Sequence, residues 1–375
     1  MLSLNVNQDN FSLRSSFNFE GDLSNDLQND PRLRFYNLYL EGRNLLDIAT
    51  IKLGRQPLFN NVAGGIFDGV TLDLRKADYK FSAYYGGNVP AYQKLAVVKN
   101  WNENYILGGK FVANSIRNFR IGLSYINKNF ESDPYYATRL DPNLNPIQVL
   151  IESKSNQYQF ASAEVSYDLP KYFNVNTRYD YDLNFMETSK IEFQGRYVQI
   201  NNLGIDVYYN YRQPKIRYNS IFSVFDFGNT QEMEIGADYA INKIFTVIGK
   251  VGNVIYKDDN SQRITVGLNS NFGSISYRKN LGYAGEMDAI SVYSAHTFFD
   301  GYFTPSVGLS YTNYKLTQES PRNNLTTLVG GFNVRPFRTL SFDVQGQFMN
   351  NKIYKDDFRL FFKLNYWFNT NLNLM

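Results

Sequence analysis

The sequence predicts an all-β protein: a single closed antiparallel transmembrane β-barrel of about 20 strands, within a range of about 18 to 22. Three observations support this prediction. Apolar and polar residues alternate over segments of about a dozen residues. Short and long connections between these segments also alternate along the chain. Finally, no apolar run approaches the length of a membrane-spanning helix. No stretch resembles a linker, so residues 1–375 are predicted to form one barrel domain.

The alternation is clearest in four segments, 173–184, 203–212, 340–348 and 358–368. In the third segment, Leu340, Phe342 and Val344 alternate with Ser341 and Asp343. Strands of globular proteins are usually about 5 to 6 residues long, whereas about 10 residues of alternation typify transmembrane strands. Strand length therefore favours a membrane barrel over a soluble sandwich or propeller.

Composition excludes several functional classes. The chain of 375 residues contains 30 Tyr, 30 Phe, no Cys and a single His, and its net charge is +3. So many aromatic residues are incompatible with disorder, and the balanced charge argues against nucleic acid as a partner. Without thiols and with only His296, we expect no metal site, no cofactor, no catalytic residues and no enzyme activity. Ser294 and His296 share a strand face, which is the one catalytic alternative.

Charged side chains on the polar face of the strands indicate a water-filled lumen. An Arg or Lys facing lipid would cost about 2 to 4 kcal/mol near the midplane, so these groups must line water. Basic residues are in excess, which predicts a mildly anion-favouring channel; a neutral wall of mutually paired charges is the alternative. The predicted pore-lining residues are Lys52, Lys80, Lys110, Arg120, Arg178, Asp180, Asp182, Glu192, Arg196, Asp206, Arg212, Lys250, Arg263, Arg278, Arg359 and Lys363.

A wide barrel needs a loop that narrows it, and the connection 87–103 is the predicted constriction loop. It carries Lys94, Lys99 and Trp101 in a setting apolar enough to fold inward. The alternatives are that this loop is exposed or that the longest connection, 130–155, covers the mouth. The N-terminus, Met1-Leu2-Ser3-Leu4-Asn5, has no signal peptide, so we expect that an export signal has been cleaved.

Two segments resemble a known family. Leu53-Gly54-Arg55-Gln56-Pro57, followed by Gly65-Ile66-Phe67-Asp68-Gly69-Val70, resembles the Gly-Arg-Gln and Asp-Gly pairing of bacterial outer-membrane porins, including alginate-export-like barrels. The alternating strand Phe358 to Phe368 resembles their terminal assembly signal, although residues 369–375 follow it.

The resemblance implies an outer-membrane porin for passive diffusion of small hydrophilic solutes, surrounded by outer-membrane lipid and lipopolysaccharide. The alternative function is a structural sheath around a threaded partner, such as a multihaem cytochrome in an electron conduit. A sheath would purify with haem absorbance and conduct ions poorly. A homo-oligomer and a periplasmic protein partner are both compatible with the sequence.

Overall fold

The computed structural model describes residues 2–21, 32–59, 62–90, 96–130, 135–151, 157–198, 200–218, 220–257, 259–282, 285–317 and 319–368. These residues form 23 strands and two short 3-10 helices, Ile221–Val224 and Phe299–Gly301, which confirms the all-β prediction. Within the same ranges, no helix is long and apolar enough to cross a membrane. The strands are β1 (Leu2–Gln8), β2 (Phe11–Glu20), β3 (Arg32–Leu45), β4 (Ala49–Leu58), β5 (Gly65–Lys76), β6 (Tyr79–Val89), β7 (Tyr105–Ala113), β8 (Phe119–Asn129), β9 (Tyr135–Leu140), β10 (Pro146–Ile151), β11 (Tyr158–Leu169), β12 (Phe173–Asp182), β13 (Glu187–Tyr197), β14 (Leu203–Arg212), β15 (Thr230–Ala240), β16 (Phe245–Tyr256), β17 (Asp259–Ser270), β18 (Gly273–Gly282), β19 (Glu286–Ala295), β20 (Phe303–Lys315), β21 (Asn323–Phe337), β22 (Leu340–Asn350) and β23 (Asp357–Tyr366).

The predicted strand number was wrong, because the described residues form 23 strands rather than 18 to 22. The additional strands are β1, β9 and β10. Strand β1 is short and rich in Asn, a residue that is depleted in strands, so its alternation was too weak to predict it. Strands β9 and β10 pair as a hairpin inside the connection 130–155. Pro146 obscured this hairpin, but it occupies the first residue of β10, where a missing N–H is tolerated.

The chain divides into two compact units. Unit 1 comprises Met1–Leu169, Val175–Glu192 and Tyr211–Gly228. Its strands pair antiparallel in the order β1-β2-β3-β4-β5-β6-β7-β8-β11. Because successive side chains of a strand point to opposite faces, residues that are paired across this sheet share a face. One face carries Leu53, Val70, Tyr85 and Leu107 in register, and we call it the apolar face of unit 1.

Unit 2 comprises Pro170–Asn174, Phe193–Asn210 and Asn229–Met375. Strands β15 to β23 pair antiparallel in sequence order. Each of these strands is 10 to 15 residues long. About 9 to 11 residues of tilted strand are enough to cross the hydrocarbon core of a bilayer. In these segments, β-branched and aromatic residues alternate with polar residues. This pattern favours strands, because it gives the sheet one apolar and one polar face.

Candidate functional site

The polar face of unit 1 brings together charged residues from six strands, β4 to β8 and β11. Lys52 pairs with Thr71, Asp73 with Ser82, Ser82 with Lys110 and Lys110 with Ser124. Ser124 pairs in turn with Ser162, two residues from Glu164, so Glu164 lies on the same face. By the same register, Lys80 and Arg120 also belong to this face. All four basic residues predicted for strands β4 to β8 therefore share one face.

Two ion pairs organise the centre of this face. Lys52 Nζ lies 3.0 Å from Asp73 Oδ2, and Lys110 Nζ lies 2.6 Å from Glu164 Oε2. Ser82 Oγ donates to the second oxygen of Asp73 at 2.6 Å. The four charged side chains are part-buried, so each charge is compensated by a neighbour rather than by water alone.

The segment that resembles porins forms a packed unit at one end of β4 and β5. Gln56 Nε2 donates to the carbonyl oxygen of Gly69 at 3.0 Å, and Thr71 Oγ1 donates to Gln56 Oε1 at 2.9 Å. A Cβ on Gly69 would lie 2.2 Å from the carbonyl oxygen of Tyr85, so only glycine permits this close approach of strands. The Gly in the Asp-Gly pair is therefore explained by backbone packing.

The same segment contains a buried ion pair on the opposite face. Arg55 binds Asp68 in a bidentate manner, with Nε to Oδ1 at 2.7 Å and Nη2 to Oδ2 at 2.9 Å. Their side chains are each only 6% exposed. Arg55 and Asp68 are paired in register two residues from Leu53 and Val70, so the ion pair lies on the apolar face of unit 1. Sequence reasoning identified these residues as a motif but not as an ion pair.

Part of the connection 87–103 covers this ion pair. Arg55 Nη2 donates to the carbonyl oxygen of Ala96 at 3.0 Å, and the backbone N–H of Val98 donates to Asp68 Oδ2 at 3.0 Å. Trp101 packs edge-on against Tyr85, with ring centroids 5.6 Å apart. Residues 96–101 therefore lie on the apolar face, opposite Lys52 and Lys110.

This placement does not favour the predicted constriction by Trp101. Lys99 lies in the same segment, between two residues that contact the apolar face. Lys94 lies outside the described residues. The aromatic residue that suggested an inward fold instead packs against Tyr85 on the other face of the sheet.

A different segment covers the polar face. We call it the cap segment, and its described residues are 59 and 62–64. Val62 is 6% exposed and packs against Ile126 and Phe160, which are both 1% exposed. Ile126 and Phe160 are paired in register on the polar face, so the cap segment folds over that face.

Two lysines bind the backbone of the cap segment. Lys128 Nζ donates to the carbonyl oxygen of Gly64 at 2.8 Å, and Lys215 Nζ donates to that of Val62 at 2.6 Å. Lys215 lies 153 residues from Val62 in sequence, and nothing in either local sequence indicated the contact. Sequence reasoning therefore missed the contacts that both lysines make with the cap segment.

A cavity of about 320 Å³ remains between the cap segment and the polar face. Its polar wall includes both ion pairs, and its apolar wall includes Leu58, Val62, Phe67 and Tyr84. The cavity is thus a half-polar, half-apolar recess in the part of the sheet where the predicted pore-lining lysines lie.

The polar face of unit 2 carries a second set of predicted residues. Arg263 contacts Glu232 and Glu234, both at 2.5 Å, and Lys250 Nζ lies 3.2 Å from Glu234. The strand register places Arg278, Arg359 and Lys363 on the same face as Lys250 and Arg263. Arg359 pairs with Asp357 at 2.7 Å. All five predicted residues from β16 to β23 therefore share one face.

The remaining predicted residues are largely ion-paired. In unit 2, Arg196 lies 2.7 Å from Asp206 and 2.8 Å from Asp238. In unit 1, Arg178 lies 2.8 Å from Asp180, and Glu192 pairs with Lys190. Asp182 accepts hydrogen bonds from the backbone of Asn184 and Phe185, and Arg212 is exposed at the end of β14.

The apolar face of unit 2 is continuous and exposed. Ile275, Val292, Leu309 and Leu328 form one row across β18 to β21, and each is 41 to 47% exposed. Tyr277 and Tyr311 lie in register on one side of this row, and Phe272 and Phe298 lie beyond its other side. Aromatic residues that flank an apolar band are typical of membrane interfaces.

Ser294 and His296, the residues of the catalytic alternative, contact different groups. Ser294 Oγ donates to the carbonyl oxygen of Phe272 at 2.7 Å, while His296 packs between the rings of Phe272 and Phe298 at 5.7 and 4.7 Å. In the part of the chain that the structure describes, no group of three or more His, Asp or Glu residues could hold a metal ion.

No protein-family model matches the sequence, and no curated protein matches it. Among solved structures, OccAB4 of Acinetobacter baumannii aligns at 10% identity and a TM-score of 0.44, over 95% of this chain and 96% of its own. OpdQ of Pseudomonas aeruginosa aligns at 9% identity and a TM-score of 0.45, over 95% and 92%. The P pilus usher PapC translocation pore aligns at 10% identity and a TM-score of 0.34, over 98% and 94%.

Proposed function

We propose that residues 1–375 form one closed barrel in a bacterial outer membrane, which acts as a porin for passive diffusion of small hydrophilic solutes. The observation that carries this proposal is the division of each unit's sheet into an exposed apolar face and an ion-paired polar face. In unit 2, Val292 and Leu309 share one face, while Arg263 and Arg278 share the other. A sheet of this kind is stable when lipid meets one face and water meets the other.

The cap segment is the element that would limit the size of the solute. It lies over the polar face, and Val62 is held in the recess of Ile126 and Phe160. Lys128 and Lys215 add hydrogen bonds to its backbone, so the segment is held at both Val62 and Gly64. In the proposed channel, a loop fixed in this manner narrows the lumen.

We further propose a mild anion preference. Most predicted lumen charges are ion-paired, which reduces their field, but several basic residues have no carboxylate partner among the described residues. These basic residues are Lys80, Arg120, Arg212, Arg278 and Lys363. By contrast, Asp182 and Asp343 accept hydrogen bonds from amide groups. The remaining basic excess favours anions weakly.

Reversal potentials in planar bilayers test the function and the preference together. Under a potassium chloride gradient, the wild-type protein is expected to conduct with a small anion preference that fades as salt screens the field, since the Debye length is about 10 Å at 0.1 M. Arg278→Gln is expected to shift the reversal potential toward cations. Lys279→Gln is the matched control, because Lys279 is the next residue on the opposite face and pairs with Asp288 there.

Equal shifts in the two variants would contradict the assignment of Arg278 to the lumen. Cation preference of the wild-type protein would contradict the proposed selectivity. A protein that does not conduct and carries haem absorbance would be a sheath around a cytochrome.

A further inference from the structure

We propose that the cavity beneath the cap segment is a binding site for a neutral polyhydroxylated solute, such as a mono- or disaccharide, on its passage through the channel. The inference rests on the proposed function, since it assigns a solute class to that channel. At about 320 Å³, the cavity is at the lower end of the range for small-molecule sites, about 300 to 1,000 Å³. That volume suits a solute of one or two rings.

The charges of the cavity wall favour a neutral solute. Lys52 with Asp73 and Lys110 with Glu164 contribute two positive and two negative charges, so the wall has no net charge. A solute carboxylate or ammonium group would have to displace one partner of a part-buried ion pair. Breaking such a pair leaves a charge without compensation, which is costly where water is partly excluded. Neither anions nor cations therefore fit this wall well.

Hydroxyl groups can bind to the same wall without breaking either ion pair. An ammonium group has three N–H donors, and a carboxylate has about four acceptor positions. Lys52 Nζ and Lys110 Nζ each donate one hydrogen bond within these ion pairs. A sugar hydroxyl donates and accepts at once, so it can bridge Lys110 Nζ and a carboxylate oxygen of Glu164. Ser82, Thr71 and Gln56 add neutral donors and acceptors to the lining.

The opposite wall suits the apolar face of a sugar ring. Phe67 and Tyr84 line the cavity with their rings 6.1 Å apart, and Leu58 and Val62 lie beside them. The face of an aromatic ring carries negative potential, which attracts the C–H groups of a sugar. A cavity with paired charges on one wall and aromatic rings on the other therefore matches both sides of a pyranose ring.

Sucrose, glutamate and lysine are the probes for the test. In planar bilayers, sucrose is expected to reduce the ion current in a saturable manner, whereas glutamate and lysine do not. The variant Lys110→Met/Glu164→Leu removes an ion pair without changing the net charge, and we expect it to weaken sucrose binding about tenfold or more. The control Lys279→Met/Asp288→Leu removes a Lys–carboxylate pair from the apolar face of unit 2 and should bind sucrose like wild type.

Two further measurements separate this inference from the proposed function. Calorimetric titration of the detergent-solubilised protein with sucrose detects binding whether or not the protein conducts. If Lys110→Met/Glu164→Leu does not fold, Ser124→Phe fills the cavity and leaves both ion pairs intact. Conductance with saturable inhibition by glutamate or lysine but not by sucrose would overturn the inference and leave the porin proposal standing. An equal loss of sucrose binding in the control variant would also overturn it.

Discussion

Val292→Arg is expected to destabilise the folded protein in a bilayer by about 2 to 4 kcal/mol, whereas Ser291→Arg leaves its stability close to wild type. Val292 is 41% exposed and lies in the middle of the apolar face of unit 2, between Ile275 and Leu309. An arginine there would place its charge in hydrocarbon. Ser291 points to the opposite face, where its neighbours are Ser276 and Ser310. A longer side chain has room there and reaches water.

Folding yield in lipid vesicles measures this difference. Urea titration of both variants, followed by the heat-dependent shift of the folded band on a gel, gives the free energy of unfolding of each. Both variants carry the same new residue at adjacent positions of one strand, so the strand propensity of that residue and the net charge of the protein are the same in both. Equal stability of the two would mean that the strand register, and with it the assignment of faces, is wrong.

Arg55→Met is expected to destabilise unit 1 by about 3 to 5 kcal/mol, because it leaves the Asp68 carboxylate buried without its partner. Asp68 is only 6% exposed at its side chain, and its remaining contacts include the backbone N–H of Val98. One N–H donor does not replace a bidentate guanidinium. The loss should also release residues 96–101 from the apolar face, since Arg55 holds the carbonyl oxygen of Ala96.

The double variant Arg55→Met/Asp68→Leu is the control, because it removes both charges and fills their buried positions with apolar side chains. Replacing a buried ion pair by apolar residues is often neutral or stabilising, so most of the stability should return. Proteolysis at 96–101 reports whether that segment is released. If the single and double variants are equally unstable in urea, the ion pair is not what stabilises this region.

The two faces of the sheet could be predicted from the sequence, because an alternation with period two depends only on local residues. Lys52, Lys80 and Lys110 were assigned to one face by parity, and the strand register places them together. Two strands of the hairpin β9–β10 were missed since their short alternation lies among turn residues. Local periodicity therefore identifies long strands and misses short ones.

The covering segments could not be predicted, because their positions depend on contacts between distant residues. Trp101 suggested an inward loop, but its ring packs on Tyr85 of the apolar face. Val62 carried no signal at all, yet it is buried on the polar face and bound by Lys215. Ion pairs could not be predicted either. The parity of the residue numbers within a strand assigns Lys110 and Glu164 to one face, but it does not reveal that their side chains lie 2.6 Å apart. Parity therefore predicts which charged residues share a face, but not which of them form ion pairs.

Cysteine accessibility tests the central claim, that one face of the sheet meets water and the other meets lipid. The chain contains no cysteine, so single substitutions report without background. We predict that Ser291→Cys and Ser310→Cys, on neighbouring strands of the polar face, react in bilayers with a charged, membrane-impermeant thiol reagent and that the reaction lowers the conductance. Val292→Cys and Leu309→Cys, the adjacent residues on the apolar face, should stay unmodified. Rapid modification of Val292→Cys and Leu309→Cys, with Ser291→Cys and Ser310→Cys protected, would contradict the account.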